Sequence, residues 1–325
     1  MQCRGYSSPL QRALTDFGSD CSFAGAVKKV EEHYGVKVPP TTTRLITEKH
    51  AENIHKNLDS IQVNSKPFNA PATIITQTDG SMIPIVKIDN QAQGDKRKTR
   101  KTEWREARLA LARPHGSTSP FYGAIIGSVD EAGKKVSDVV EAAGRGEKTH
   151  IHGVGDGALW IADQFDKQFG RDGNYTIDFF HLSEYLAEAA LCIDKANSKE
   201  WLHAQQALMK ENKANDVLIK LTNHINECEK EKNICGASKC HQYMEKRMDQ
   251  FNYKDALAQG LPIGSGEIES GHRSIIQKRV KTPGGWWLER NAQNMISLRV
   301  VRANGFWGNY WEKQSSYGQG ASSYA

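Results

Sequence analysis

Four carboxylates stand out by their surroundings. Asp79 precedes Gly80 at the end of the run ATIITQTDG. Asp156 lies between Gly155 and Gly157, after THIHGV. Glu267 and Glu269 follow the Gly-Ser-Gly turn in LPIGSGEIES. Glycine beside an acid leaves backbone room around it. Aspartates gathered in one cleft repel each other unless a cation sits between them. Carboxylate oxygens are hard ligands, so the cations they suit are Mg²⁺ or Mn²⁺. Two such ions about 3.5–4 Å apart activate a water or a 3′-hydroxyl and stabilise the leaving oxygen of a phosphodiester. A single aspartate before glycine is more often a turn former than a catalyst. The ordered set carries the reading, not any one member.

The elements that must position these acids follow from the pattern. Residues 9–56 read as helices: LQRALTDF, then FAGAVKKVEEHYG closing at Gly35, then TTTRLITEKHAENIHKNL with Thr41–Thr43 as capping candidates. Helix, turn, helix with Arg44 at the second start predicts a helix-turn-helix-like DNA reader; a plain helical hairpin is the alternative. Residues 57–71 read as a linker. ATIITQTDG and SMIPIVKID, split by a turn at Gly80, then EWREARLALA and FYGAIIGSV, predict antiparallel strands. KTHIHGV, ALWIADQFDKQF, YTIDFF and HLSEYLAEAALCIDKA alternate strand and helix, which implies parallel pairing. Asp79 and Asp156 are thereby expected at strand ends facing one cleft. Residues 198–258 carry helical periodicity without strands, with Val217, Leu218, Leu221 and Ile225 on one face.

The expected architecture is α/β: a mixed sheet with an all-helical insertion and a small N-terminal helical module. Its parts are 1–60, the helical DNA-binding module; 70–197, the first part of the catalytic domain; 198–258, the insertion; 259–315, the last part with the glutamate helix; and 316–325, a flexible tail. With 38% hydrophobic and 25% charged residues, the composition is that of a globular protein rather than a disordered one. No apolar run approaches a membrane span and no signal peptide opens the chain, so a cytoplasmic protein is expected. Residues 96–113 hold eight basic side chains against two acidic ones, and 273–302 hold seven against one. Two concentrated basic segments suit a polyanion, or are simply solvated faces. Lys98, Arg100, Lys101, Arg105, Lys278, Arg279 and Lys281 are the phosphate-holding candidates. Cys228, Cys235, Cys240 and His241 contain no C-x-x-C pair, and incidental thiols are the plainer reading than a structural zinc.

A rival reading exists. Gly153 to Ala158 spells G-x-G-x-x-A, and Asp178 lies 21 residues beyond Gly157, close to a dinucleotide-binding fingerprint. Asp156 inside that loop would repel a pyrophosphate, and the unit does not open a doubly wound domain.

QTDGSMIPI, HGVGDGALWI, DFFHLSEYL and LPIGSGEIESGHR, followed by QKRVKTPGGWW, stand in an order and spacing that resembles the Mutator-like bacterial insertion-sequence transposases. The likeness covers roughly residues 70–315. It implies an RNase-H-like core interrupted by a helical insertion, and a three-carboxylate (DDE) enzyme. That enzyme would cut DNA at element ends and join the 3′-hydroxyl to target DNA with two Mg²⁺ or Mn²⁺ ions. Asp79 and Asp156 would be the first two metal-binding carboxylates and Glu269 the third, with Glu267 competing for that place. Asp178 and His181 match the family's D-x-x-H element. His181 would then act at the scissile phosphate, or else be structural. The resemblance also implies terminal inverted repeats and target DNA as partners, a homodimer or larger assembly on DNA, and a bacterial, nucleoid-associated location. A longer N-terminal region is expected from it, so part of the DNA-reading module would be missing. Related enzymes carry Lys or Arg seven residues after the glutamate; this chain has Ile276, or Ser274 counted from Glu267. Trp286 and Trp287 could stack on bases or pack in a core. A catalytically inactive, transposase-derived DNA-binding protein is the alternative function.

Overall fold

The computed structural model describes residues 5–62, 69–89, 91, 93, 95–228 and 235–319. It is a mixed α/β structure built on one five-stranded sheet. The strands are β1 (Thr73–Lys87), β2 (Lys101–Pro114), β3 (Phe121–Ile125), β4 (His150–Gly155) and β5 (Gly173–Ile177), in the order β3-β2-β1-β4-β5. β1, β2 and β3 pair antiparallel, while β4 and β5 run parallel to β1.

The expected turn at Gly80 is absent. β1 is one strand of 15 residues, paired with β2 from Ile74↔Pro114 to Lys87↔Lys101. The reason is packing: Ile83 and Ile85, past the glycine, are fully buried, so the strand continues to bury them. Asp79 is therefore mid-strand rather than at a strand end. Among the connecting helices, α5 (Val129–Ala142) starts with a capping box, in which Ser128 and Glu131 satisfy each other's backbone amides. α6 (Leu159–Phe169) follows β4, and α7 (Phe179–Ile193) follows β5.

The sheet is covered on both faces. On one, Ile74, Ala110 and Ile177 pack with Val136 and Val140 of α5 and Phe165 of α6. That core runs on without a break into Met209, Val217, Leu221 and Met244. These belong to α8 (Ser198–Lys210), α9 (Ala214–Cys228) and α10 (Gly236–Glu245), so residues 198–258 are helical among the described residues, with α11 (Tyr253–Ala258) the last. On the other face, Ile83, Ile85 and Leu109 meet Ile268, Ile275 and Ile276 from the stretch formed by α12 (Gly266–Gly271), a π-turn (His272–Gln277) and α13 (Lys278–Val280). Met295 and Ile296 of α14 (Glu289–Ala303) complete that core.

At the N-terminus, α1 (Ser8–Asp20), α2 (Phe23–Tyr34) and α3 (Pro40–Lys56) share Leu14, Val30 and Ile46 as a small core. Gly35 ends α2 in the left-handed region, φ 68°. Thr41–Thr43 are not caps: α3 begins one residue earlier, at Pro40, and Thr43 lies within it, bonded back to the Pro39 carbonyl. Proline suits that first position because its missing N–H has no helical partner to lose. A short helix, α4 (Leu58–Ile61), occupies part of the expected linker, whose residues 63–68 lie outside the described ones. α15 (Trp307–Gln319) extends into the expected tail at 316–319, and 320–325 lie outside. Among the described residues no helix is long and apolar enough to cross a membrane.

α3 meets α14 and α15 around His50. Its Nδ1 lies 2.6 Å from Tyr310 Oη and its Nε2 3.0 Å from Gln11 Oε1, with Trp311 against the ring. Burial holds this imidazole neutral, at a pKa of about 4. The unfolded chain takes up a proton near the ordinary 6.5, so stability is full above that pH and is lost as pH falls toward 4. His50 is expected to cost about 2 kcal/mol of stability between pH 7 and 5. Thermal unfolding at both pH values checks this: His50→Gln should flatten the loss.

Candidate active site

The site begins where β1 outruns its parallel neighbour. Pairing with β4 stops at Gln77↔Val154, while pairing with β2 continues. Asp79 is two residues past that last pair. Gly80 has no room for a Cβ, because the Glu106 carboxyl occupies that space. Asp79 Oδ1 accepts the Gly80 amide at 2.6 Å. His272, buried beneath, lies 3.0 Å from the Asp79 carbonyl and 3.7 Å from Oδ2 through Nε2. Burial lowers the His272 pKa and favours its neutral form. Asp79 itself is pushed up to about 6, first by desolvation, then by the charges of Asp156, Glu106 and Glu269, against the Gly80 hydrogen bond. Acids from four separate segments, β1, β2, the β4–α6 loop and α12, thus feel one another at this point.

Asp156 follows β4 in a tight loop. Its Oδ1 accepts the Ala158 amide at 2.9 Å, and Gly157 turns through φ 82°. Glu267 and Glu269 separate cleanly. Arg113 of β2 grips Glu267 with Nε–Oε2 at 2.8 Å and Nη2–Oε1 at 2.5 Å. Glu269 is exposed, 3.5 Å from Arg273 one turn on, and its charge reaches Asp79. Among the described residues, no three His, Cys, Asp or Glu side chains are grouped tightly enough to hold a metal ion unaided.

The turn that delivers Glu269 is clasped from several sides. Asp178, buried at the head of α7, accepts the amides of Phe180 (2.6 Å) and His181 (3.2 Å). It also accepts the amide and hydroxyl of Ser265 at 2.7 and 2.5 Å. Gln77 donates to the Gly264 carbonyl at 3.3 Å and accepts the Ile268 amide at 2.9 Å. His152 Nε2 meets the Pro262 carbonyl at 2.8 Å. Sequence reasoning missed Gln77, His152, Ser265 and His272. The available signal was a polar residue inside a β-branched run, as at Gln77.

His181 stands at the start of α7, 3.6 Å from Glu184, with its ring edge-on to Tyr185 and Tyr243. Of the basic candidates, Arg44, Lys98, Arg100, Lys101, Arg105, Lys278 and Lys281 are exposed. Arg44 pairs with Glu48, and Arg105 with Glu103 and Glu289. Arg279 does not belong with them. It is 4% exposed, donates to the Gly18 carbonyl at 2.9 Å, and lies between the rings of Phe23 and Trp287. A buried arginine already spent on a carbonyl and two aromatic faces cannot hold a phosphate. Trp287 is buried, while Trp286 is half exposed.

Two other readings meet obstacles. In the G-x-G-x-x-A loop, the Gly157 amide donates to Tyr175 Oη at 3.2 Å and the Ala158 amide to Asp156, so the donors a pyrophosphate needs are taken. Asp178 is consumed by its own four bonds. For zinc, Cys240 is buried against Met244, Cys235 faces Ser238 and His241 faces Glu245; the Cys228 side chain lies outside the described residues.

Fold and site together define a mixed α/β protein with several acids acting on Asp79 where β1 outruns β4. No protein-family model and no curated protein matches the chain. Among solved structures it is similar to the Drosophila P element transposase strand transfer complex, at 10% identity over 97% of this chain and 82% of that one, with a TM-score of 0.36. At that distance no residue is carried over.

Because the folded pKa of Asp79 lies above the ordinary 3.8, its protonated form is favoured in the fold. That stabilisation is full below about pH 4 and is lost as pH rises through about 6. The side chain is 36% exposed. Water therefore screens part of the penalty, leaving about 1 kcal/mol against roughly 1.4 kcal/mol per pH unit unscreened. Asp79→Asn, without divalent ions, is expected to melt about 2 °C above the parent at pH 8 and level with it at pH 4. A calorimetric scan at the two pH values checks this. Asp178→Ala should instead lower stability by about 2–4 kcal/mol, because it strands the buried Ser265 amide and hydroxyl; denaturant unfolding checks that.

Proposed function

We propose that the protein is a DNA transposase with an RNase-H-like catalytic core, cutting DNA at the ends of its element and joining the freed 3′-hydroxyl to target DNA. What supports the reading is that the charges of Asp156, in the β4–α6 loop, and Glu269, in α12, both reach Asp79 on β1. The strand order supports it too: three antiparallel strands, two parallel ones, and a helical insertion before the glutamate helix.

Asp79 and Asp156 would hold the divalent cations, with Glu269 as the third carboxylate, since Glu267 is engaged by Arg113. The donor set fits hard ions, and a bound cation would offset both the burial and the neighbouring charges that raise the Asp79 pKa. Water and the substrate's phosphate oxygens would complete the shell that three side chains leave open. When bound, Mg²⁺ or Mn²⁺ supplies the charge that activates the attacking oxygen and stabilises the leaving one. The protein residues position and hold. His272 steadies Asp79 through its backbone carbonyl. Asp178 and Gln77 fix the turn before Glu269. His181, edge-on to the Tyr243 ring, would contact the strand being cut. Lys278, Lys281, Lys98, Arg100 and Lys101 offer exposed charge to the phosphate backbone, and Arg44 on α3 to a DNA end. Two ends must be cut together, so a dimer or larger assembly on DNA in the bacterial cytoplasm belongs to the proposal.

The test is Mn²⁺-dependent nicking of terminal-repeat DNA. Asp79→Asn, Asp156→Asn and Glu269→Gln are each expected to lose on the order of a thousandfold in rate, while band-shift affinity for the DNA stays within about twofold because the lost groups carry negative charge. Glu267→Gln should keep measurable cutting. Full cleavage by either aspartate variant would sink the mechanism. Loss with Glu267→Gln but not Glu269→Gln would exchange the two glutamates.

A further inference from the structure

The helical segment of residues 198–258 does more than pack beside the sheet. Its helix α10 ends against the Asp156 loop. Tyr243 Oη donates to the Asp156 carbonyl at 2.8 Å. Arg247, just past the helix, donates from Nε to the Gly157 carbonyl at 2.7 Å, and from Nη1 to the Tyr243 carbonyl at 2.8 Å. The guanidinium lies 4.2 Å from the centre of the Tyr243 ring, and Tyr185 of α7 stacks on that ring at 4.1 Å and 14°. Gly157, at φ 82°, has no room for a Cβ because the Tyr243 hydroxyl fills that place. From below, Tyr175 of β5 takes the Gly157 amide. Each polar backbone group of the Asp156–Gly157 peptide link and of Gly157 itself therefore has a named side-chain partner, and two of those partners come from the helical segment.

We propose that Tyr243 and Arg247 are positioning residues for the second carboxylate: the helical segment sets the direction of Asp156 by gripping the carbonyls on both sides of Gly157. The proposal deepens the transposase reading and rests on it for the purpose of the positioning, but the grip itself is testable without catalysis. A short loop between two glycines has few restraints of its own, since glycine at positive φ pays no steric cost to move. Held at two carbonyls, it presents the carboxylate in one orientation. Partners behind a metal-binding side chain typically change metal affinity by 10–100-fold when removed.

The experiment uses the full chain with Tyr243→Phe, Arg247→Gln and Arg247→Lys. Hydrogen exchange is read at residues 155–158, and Mn²⁺ binding by titration calorimetry. Positioning predicts faster exchange in that loop for Tyr243→Phe and Arg247→Gln, with exchange in α8 and α9 unchanged, and about tenfold weaker Mn²⁺ binding. Arg247→Lys, which keeps a donor, should recover a part of both. Loop exchange like the parent's in Tyr243→Phe and Arg247→Gln would overturn the proposal. So would faster exchange spread evenly through α8–α10, since that is a role in packing alone. If the parent binds no Mn²⁺, or Asp156→Asn binds it equally well, the transposase reading fails, while loop exchange still decides the grip.

Discussion

Much of the molecule depends on one buried carboxylate. Asp178 directly follows β5, caps α7 and binds Ser265, a residue 87 positions later, through both amide and hydroxyl. A buried acid is tolerable only when its oxygens are filled with donors, and here four are supplied. Because the donors belong to two distant segments, satisfying the charge also fixes where those segments meet. Gln77 repeats the arrangement from β1, with its carbonyl and amide each used on the 264–268 stretch. The start of the glutamate helix is thereby tied to the sheet by side chains, not by strand pairing.

The neighbouring acids around Asp79 are tolerated for a related reason. Folding buries Asp79, and the charges of Asp156, Glu106 and Glu269 add to that penalty. That is unfavourable for the fold by itself, and the large cores on both sheet faces offset it. Glu106 is answered by Arg108 at 2.5 Å and Glu267 by Arg113. Asp79 takes the Gly80 amide at 2.6 Å, but the basic side chains nearest Asp79 and Glu269 are farther off, His272 at 3.7 Å and Arg273 at 3.5 Å. Acids that are paired serve the structure; those left underpaired are the ones the proposed chemistry needs.

Arginine use follows a similar division. Arg279, Arg299 and Arg302 come from a segment whose charge looks like a nucleic-acid surface. Yet Arg279 and Arg299 are buried, Arg299 donates to the Ile275 carbonyl and pairs with Asp20, and Arg302 pairs with Asp16 at 2.6 Å. They lock α14 and the π-turn region to the end of α1, whose last carbonyls attract cations. The lysines in the same stretch stay in water, consistent with the higher cost of stripping a compact ammonium.

The sequence by itself determined the class of fold and its candidate acids. Alternation and β-branched runs marked the strands, helical periodicity marked 198–258, and glycines flagged Asp79, Asp156 and the turn before Glu267. These are local signals, carried by neighbours along the chain. Even the capping box at Ser128 and Glu131 was readable in this way, although α5 was passed over. Only the tertiary structure decided the rest. It carried β1 straight through Gly80, because Ile83 and Ile85 had a core to enter. It gave Glu267 to Arg113 and left Glu269 exposed with its charge reaching Asp79, a difference two positions of spacing could not show. It buried Arg279 and raised Tyr243 and Arg247 to the Asp156 loop. Each of these depends on a partner more than 80 residues away, or on which face of the sheet is covered, and neither is written in any short window of sequence.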